Sequence, residues 1–236
     1  MIASDGGFLE APVTLTNIRL SPGERAEIVL DFSAQTMGTS LYLQGAGVNL
    51  IRFDVESKTA NVGALPSTLN VINRLNASDS TRTRQFELNT LNGTRGGMIG
   101  MTPMGSAQFA MGSGMSGGGA GMQGMANMFA NNGKAMDMNR VDETVKLGAT
   151  EIWEITTQMA MPHPFHIHDV QFLILDRSGT APQAYEAGWK DKVLVNPNET
   201  VRVISKFSDY TGIYMYHCHI LEHEGNGMMG RFEVIP

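Results

Sequence analysis

Cysteine is nearly absent: Cys218 is the only one in 236 residues. A lone thiol forbids an intrachain disulfide and removes the paired cysteines on which structural zinc sites are commonly built. Charged residues are sparse, the net charge is -6, and no run of lysine or arginine occurs, which argues against a nucleic-acid partner. No apolar stretch reaches the roughly 20 residues that a membrane helix needs. No leader pattern is read at Met1, and the chain is expected to begin in mid-protein. Histidine is as confined as cysteine is rare. All six lie in two short clusters, His163-Pro164-Phe165-His166-Ile167-His168 and His217-Cys218-His219-Ile220-Leu221-Glu222-His223.

A chain that keeps every imidazole and its only thiol in two short stretches is arranging metal ligands. The apolar, aromatic run Gly212-Ile213-Tyr214-Met215-Tyr216 leads into the second cluster and reads as a strand. Neighbouring side chains on a strand point to opposite faces, so His217 and His219 project one way and Cys218 the other. The following Glu224-Gly225-Asn226-Gly227 lets the chain turn and bring His223 and Met228 back to the side of Cys218. In the first cluster His166 and His168 share a face, while His163 can point away. A thiolate, two imidazoles and a weak axial thioether form the ligand set of a blue-copper centre, which selects Cys218, His163, His223 and Met228. Zinc competes for Cys and His, but its closed sites favour more than one cysteine.

The two motifs, H-P-F-H-I-H and H-C-H-x3-H-x4-M some fifty residues later, resemble the C-terminal copper motifs of the multicopper oxidases, with bacterial laccases and periplasmic cuprous oxidases as the nearest branch. The resemblance implies that His163, Cys218, His223 and Met228 hold type 1 copper, the same four that spacing selects. It implies His166 on type 2 copper and His168, His217 and His219 on the type 3 pair. It also implies a reaction in which single electrons from a phenolic or Cu(I) reductant enter at type 1 copper and O2 is reduced to water at a trinuclear cluster. That cluster takes eight histidines in the family, half of them from two earlier H-x-H motifs that this chain lacks. The rest would have to come from an N-terminal part of the oxidase or from another subunit. Without them, the rival reading is a mononuclear blue-copper electron carrier. The family setting is the periplasm or the cell exterior.

The remaining pattern predicts an all-β Greek-key β-sandwich, and the resemblance implies that it is cupredoxin-like, with one complete domain plus part of a second. Alternation in Val13-Thr14-Leu15-Thr16 and in Ala26 to Phe32, punctuated by Ser21-Pro22-Gly23 and Gly45-Ala46-Gly47, predicts four or five short strands over residues 1–57. Ser4-Asp5-Gly6-Gly7 and Ser21-Pro22-Gly23-Glu24-Arg25-Ala26-Glu27 resemble the later half of the family's second cupredoxin domain. Residues 58–80, with Pro66 and scattered Ser, Thr and Asn, suit an interdomain linker. Residues 81–236 form the last domain, with strands expected at 83–88, 143–147, 151–155, 171–175, 193–195 and 200–204. An insertion over 98–138 holds ten of the seventeen methionines and ten glycines. It reads either as a flexible loop or as a collector of Cu(I), which soft thioethers select.

Four further residues carry expectations. Glu224 follows a type 1 ligand, and a carboxyl there could relay the protons that O2 reduction consumes, or simply cap a loop. Met159 and Met161 precede His163 and either line the rim of the pocket or pass Cu(I) to it. Asp169, directly after His168, stands where the family commonly has glycine.

Overall fold

A computed structural model of the protein describes residues 1–59, 63–91 and 128–236. Alternation decides which way each strand faces. In β5 (Arg82–Thr90), Arg84, Phe86 and Leu88 turn inward while Arg82, Thr83 and Gln85 stay in solvent. The chain continues through β6 (Phe129–Asn131), β7 (Glu143–Lys146), β8 (Thr150–Thr157), β9 (His163–Ile167), β10 (Phe172–Arg177), β11 (Lys192–Val195), β12 (Thr200–Lys206), β13 (Gly212–Cys218), the short helix α1 (Leu221–Gly225) and β14 (Met229–Ile235). Each strand expected beyond residue 81 is present.

These strands build two five-stranded sheets, ordered β10-β12-β8-β5-β6 and β11-β9-β13-β14-β7. From β6 to β13 every step along the chain switches sheet, so both sheets grow together and their inner faces enclose one core. Within each sheet the pairing is antiparallel except for β5 with β8 and β14 with β7. Trp153 stands at the centre of the core, edge-on to Tyr216 and Phe232 at 5.7 and 5.6 Å and 4.5 Å from the ring of Phe86. Aromatic pairs prefer such offset and edge-to-face contacts. The expected all-β, cupredoxin-like sandwich is what the chain forms.

Residues 1–57 hold four short antiparallel strands, the number expected, but mostly not where the alternation placed them. They hold two-residue strands β1 (Ala3–Ser4) and β2 (Gly7–Phe8) and one hairpin, β3 (Ser40–Gly45) with β4 (Val48–Asp54). Val13 to Thr16 is not a strand, and Ala26 to Phe32 contributes only a bridge from Glu27 to Ala3. Alternation alone does not make a strand. The backbone N–H and C=O groups need a continuous neighbour, and these stretches find only isolated partners, Val13 with Met1 and Glu27 with Ile2 and Ala3.

Residues 63–80 form no strand, yet they are packed: Ile72 is buried with Ile152, Leu173 and Ile204, and Leu75 lies against them. The methionine-rich insertion is expected over residues 98–138. Residues 98–127 lie outside the described residues, but 129–131 are β6, hydrogen-bonded to β5, and the Met136 N–H donates to the Gly227 carbonyl at 3.0 Å.

Candidate metal centre

Strand register places the ligands. Antiparallel β9 and β13 set His217 opposite His166 and Cys218 opposite Phe165. Directly opposed residues share a face, so Cys218 joins Phe165 and His163 on the core side while His166 and His217 lie on the other face of the sheet. The turn expected after Cys218 is instead α1, whose local hydrogen bonds begin with the His223 N–H on the Ile220 carbonyl at 3.0 Å. One helical turn needs no partner strand, and it swings His223 back over Cys218. The Met228 backbone ties the unit together: its N–H donates to the His223 carbonyl and its carbonyl accepts from the Cys218 N–H, both at 3.0 Å. The Met228 side chain is fully buried in the same core cluster as Cys218.

Cys218 Sγ lies 3.7 Å from Nδ1 of both His163 and His223, and those two nitrogens are 3.1 Å apart. A triangle with these edges has its centre about 2 Å from every corner, the length of a first-row metal bond to nitrogen or sulfur. Burial, with His223 adding a smaller effect, lowers the His163 pKa to about 4, and burial pushes the Cys218 thiol up to about 12. The three groups are therefore neutral in the metal-free chain near pH 7. The donor set fits copper: one soft thiolate, two imidazoles and a thioether in a dry pocket. The ring of Phe129 stacks on His223 at 4.1 Å and 29°.

Ligand atoms of His166, His168 and His217 form a second group, all within 4.8 Å of one another. His166 donates its Nδ1–H to the Asp191 carbonyl at 2.6 Å, which leaves Nε2 as the free lone pair. His217 likewise donates Nδ1–H to the Cys218 carbonyl at 3.0 Å, and its Nε2 lies 3.0 Å from His168 Nε2. Outer partners that set tautomers in this way are a feature of metal-ligating histidines. His219 stands at the margin of this group, its ring 5.4 Å from that of His217 and 5.8 Å from that of His166. Burial lowers the His166 pKa to about 4, despite the opposing hydrogen bond to Asp191. This group, too, is neutral and ready to coordinate.

Glu224 Oε2 lies 3.4 Å from His217 Nδ1, with the glutamate side chain one-third exposed. The two methionines separate. Met159 packs against the cluster that contains Cys218 and Met228, whereas Met161 is 44% exposed. Asp169 now has an explanation: its φ of 73° is the left-handed region that glycine favours and that aspartate tolerates better than most residues. Sequence reasoning passed over Asp191 and Phe129. Asp191 sits in Gly188-Trp189-Lys190-Asp191, a stretch with no ligand-type pattern to mark the aspartate. Phe129 was hidden inside the methionine-rich stretch.

Comparison with known proteins agrees with this geometry. The family model described as multicopper oxidase matches residues 118–236. A multicopper oxidase of Staphylococcus haemolyticus is 34% identical over 237 residues, covering 99% of this chain and 42% of that protein. A laccase of Bacillus stratosphericus is 30% identical over 268 residues, covering 99% of this chain and 46% of its own length. The crystal structure of a multi-copper oxidase from Pediococcus acidilactici superposes with a TM-score of 0.79 at 35% identity, over 99% of this chain and 43% of that one. The chain thus spans less than half the length of the relatives it matches. With the histidine-cysteine constellation, the sandwich that carries it and a matching family model in agreement, this chain belongs to the multicopper oxidase family.

Proposed function

We propose that the chain is the copper-bearing C-terminal portion of a laccase-like or cuprous-oxidising enzyme. In this reading residues 1–57 belong to the second cupredoxin domain, 58–80 link it, and 81–236 form the third. The observation that carries the proposal is the buried Cys218–His163–His223 triangle. His163, Cys218, His223 and Met228 would hold type 1 copper, His166 type 2, and His168, His217 and His219 the type 3 pair. Bound copper would supply one-electron oxidation of a phenol or Cu(I) at the first set and, at the completed second set, reduction of O2 by four electrons and four protons to two waters.

The chain's own residues have distinct tasks. Cys218 and its neighbours His217 and His219 join the two sets through the bonds of one strand, and the His217-to-Cys218 hydrogen bond shortens that route. Burial of the first set keeps water from the thiolate. Glu224, one-third exposed and with Oε2 3.4 Å from His217 Nδ1, is placed to deliver protons. The second set needs four more histidines, supplied by another part of the protein or by another subunit. The reading places the protein in the periplasm or outside the cell.

A second reading rests on the histidine count. All six histidines are used and complete only the first set, so the chain alone would be a one-electron carrier. Copper per chain, with optical and paramagnetic resonance spectra and oxygen uptake, separates the two. One blue copper and no oxygen uptake means a carrier. About three further coppers per active unit, with oxygen consumed, means that the missing histidines have been supplied.

A further inference from the structure

We propose that Arg25, far from the histidine motifs in sequence, is a positioning residue for His166: it anchors Asp191, whose carbonyl decides which nitrogen of His166 is left to bind. A neutral imidazole has one N–H, and the 2.6 Å bond from Nδ1–H to the Asp191 carbonyl commits it, leaving Nε2 as the lone pair. Asp191 lies one residue before β11, where its carbonyl takes only a long bond from the ladder, the Ile167 N–H at 3.3 Å.

The carboxylate of Asp191 is held more tightly. Arg25 Nη1 and Nη2 donate to its two oxygens at 2.8 Å each, a planar fork that a point charge could not reproduce, and Lys192 Nζ adds a contact at 3.0 Å. Arg25 is itself fixed: its backbone N–H donates to Asp5 Oδ1 at 2.7 Å and its Nη2 to the Asp5 carbonyl at 2.9 Å. On the other flank, the buried Lys190 bridges Asp5 and Glu24 at 3.0 Å each, and the Trp189 carbonyl accepts from Ser4 Oγ and the Gly6 N–H. The same segment touches the cluster directly. A Cβ on Gly23, whose φ is +80°, would stand 2.5 Å from Lys192 Cε and 3.0 Å from His219 Cε1. Residues 3–25 therefore form part of the outer shell of the second histidine group.

The consequence for catalysis rests on the proposed role of His166, but the link itself is readable without metal. The test is the nitrogen-15 spectrum of the imidazoles in the metal-free full chain at neutral pH. The unmodified protein should show His166 as the Nδ1–H tautomer. Arg25→Met should raise the Nε2–H tautomer several-fold, and Arg25→Lys, which keeps the charge but not the fork, should lie between them. Asp191→Asn provides the same loss of pairing with the carbonyl retained, should Arg25→Met fold poorly. The affinity of the His166–His168–His217 group for copper, read by chelator competition, should fall about 10–100-fold, with the blue absorption of the Cys218 centre unmoved. A His166 tautomer unchanged in folded Arg25→Met or Asp191→Asn overturns the proposal, as does an unchanged affinity beside a changed tautomer. If no copper binds to this group in the unmodified chain, the copper reading fails while the tautomer still decides the positioning link.

Discussion

Cys218 is a thiol that its surroundings hold in the wrong protonation state for coordination. Burial keeps it neutral, with a pKa pushed up to about 12, so a metal must displace the proton rather than find a thiolate waiting. Cys218→Ser should abolish the intense blue absorption of the copper-loaded protein, because a hydroxyl of similar size lacks the soft sulfur donor, while circular dichroism stays that of the parent sandwich. Loading the parent should release about one proton per blue centre, which a pH-stat measures. The imidazoles set the acid limit of the metal-free chain. His163 and His166 have folded pKa values of about 4 against an ordinary 6.5, lowered chiefly by burial. Between those values the unfolded chain binds the protons that the folded chain refuses, so stability is full above pH 6.5 and falls as the pH drops toward 4. Urea midpoints of the chelator-treated protein across that range should decline, and His163→Gln should flatten part of the decline.

At the scale of the element, the join between β5 and β8 carries a buried charge. Arg84 pairs with Glu151 through Nε at 2.6 Å and Nη2 at 2.9 Å, both side chains almost fully buried, and Glu151 also accepts from Trp153 Nε1 at 3.1 Å. Arg84→Met leaves that carboxylate without its cation in the core, and denaturant unfolding should show a loss of about 3–5 kcal/mol. The double change Arg84→Met with Glu151→Gln should recover part of it. The strands themselves were legible because period-two alternation reports a half-buried face, as in β5. Val13 to Thr16 has the same pattern and no strand, since pairing is a property of two segments and the sequence displays only one. The ligands of the first set were legible for a different reason. Their side chain types are scarce, and a strand with alternating faces leaves little choice in how they group. The helix α1, with five residues, is too short for periodicity to reveal. Asp191 acts through a backbone carbonyl, a group that every residue has and no side chain announces.

At the scale of the molecule, the ends of the methionine-rich stretch meet. The Leu91 N–H donates to the Met128 carbonyl at 3.1 Å, and Thr90 pairs with Phe129. The sheet therefore closes at the base of the insertion, and residues 92–127 can be replaced by Asn-Gly, the two-residue turn that suits a hairpin. The excised protein should keep its melting temperature and blue spectrum. Once the second set is completed by the missing histidines, cuprous oxidation by the excised form should fall relative to phenol oxidation if the thioethers gather Cu(I); equal retention of both would remove that role from the insertion. The alternation of successive strands between sheets also has a kinetic side. Strands that neighbour each other in space are mostly distant in the chain: the partners β9 and β13 are separated by three intervening strands, and Cys218 waits for a histidine 55 positions earlier. Such non-local pairing makes for slow folding. Meanwhile His217, Cys218, His219 and His223 are already within a few residues of one another in the nascent chain, a loose chelate that forms before the pocket exists. Copper offered during refolding should be captured there in the wrong coordination and lower the yield of blue protein, whereas copper added after refolding should not. For this architecture, the order of events is itself a requirement: the chain must finish before the metal arrives.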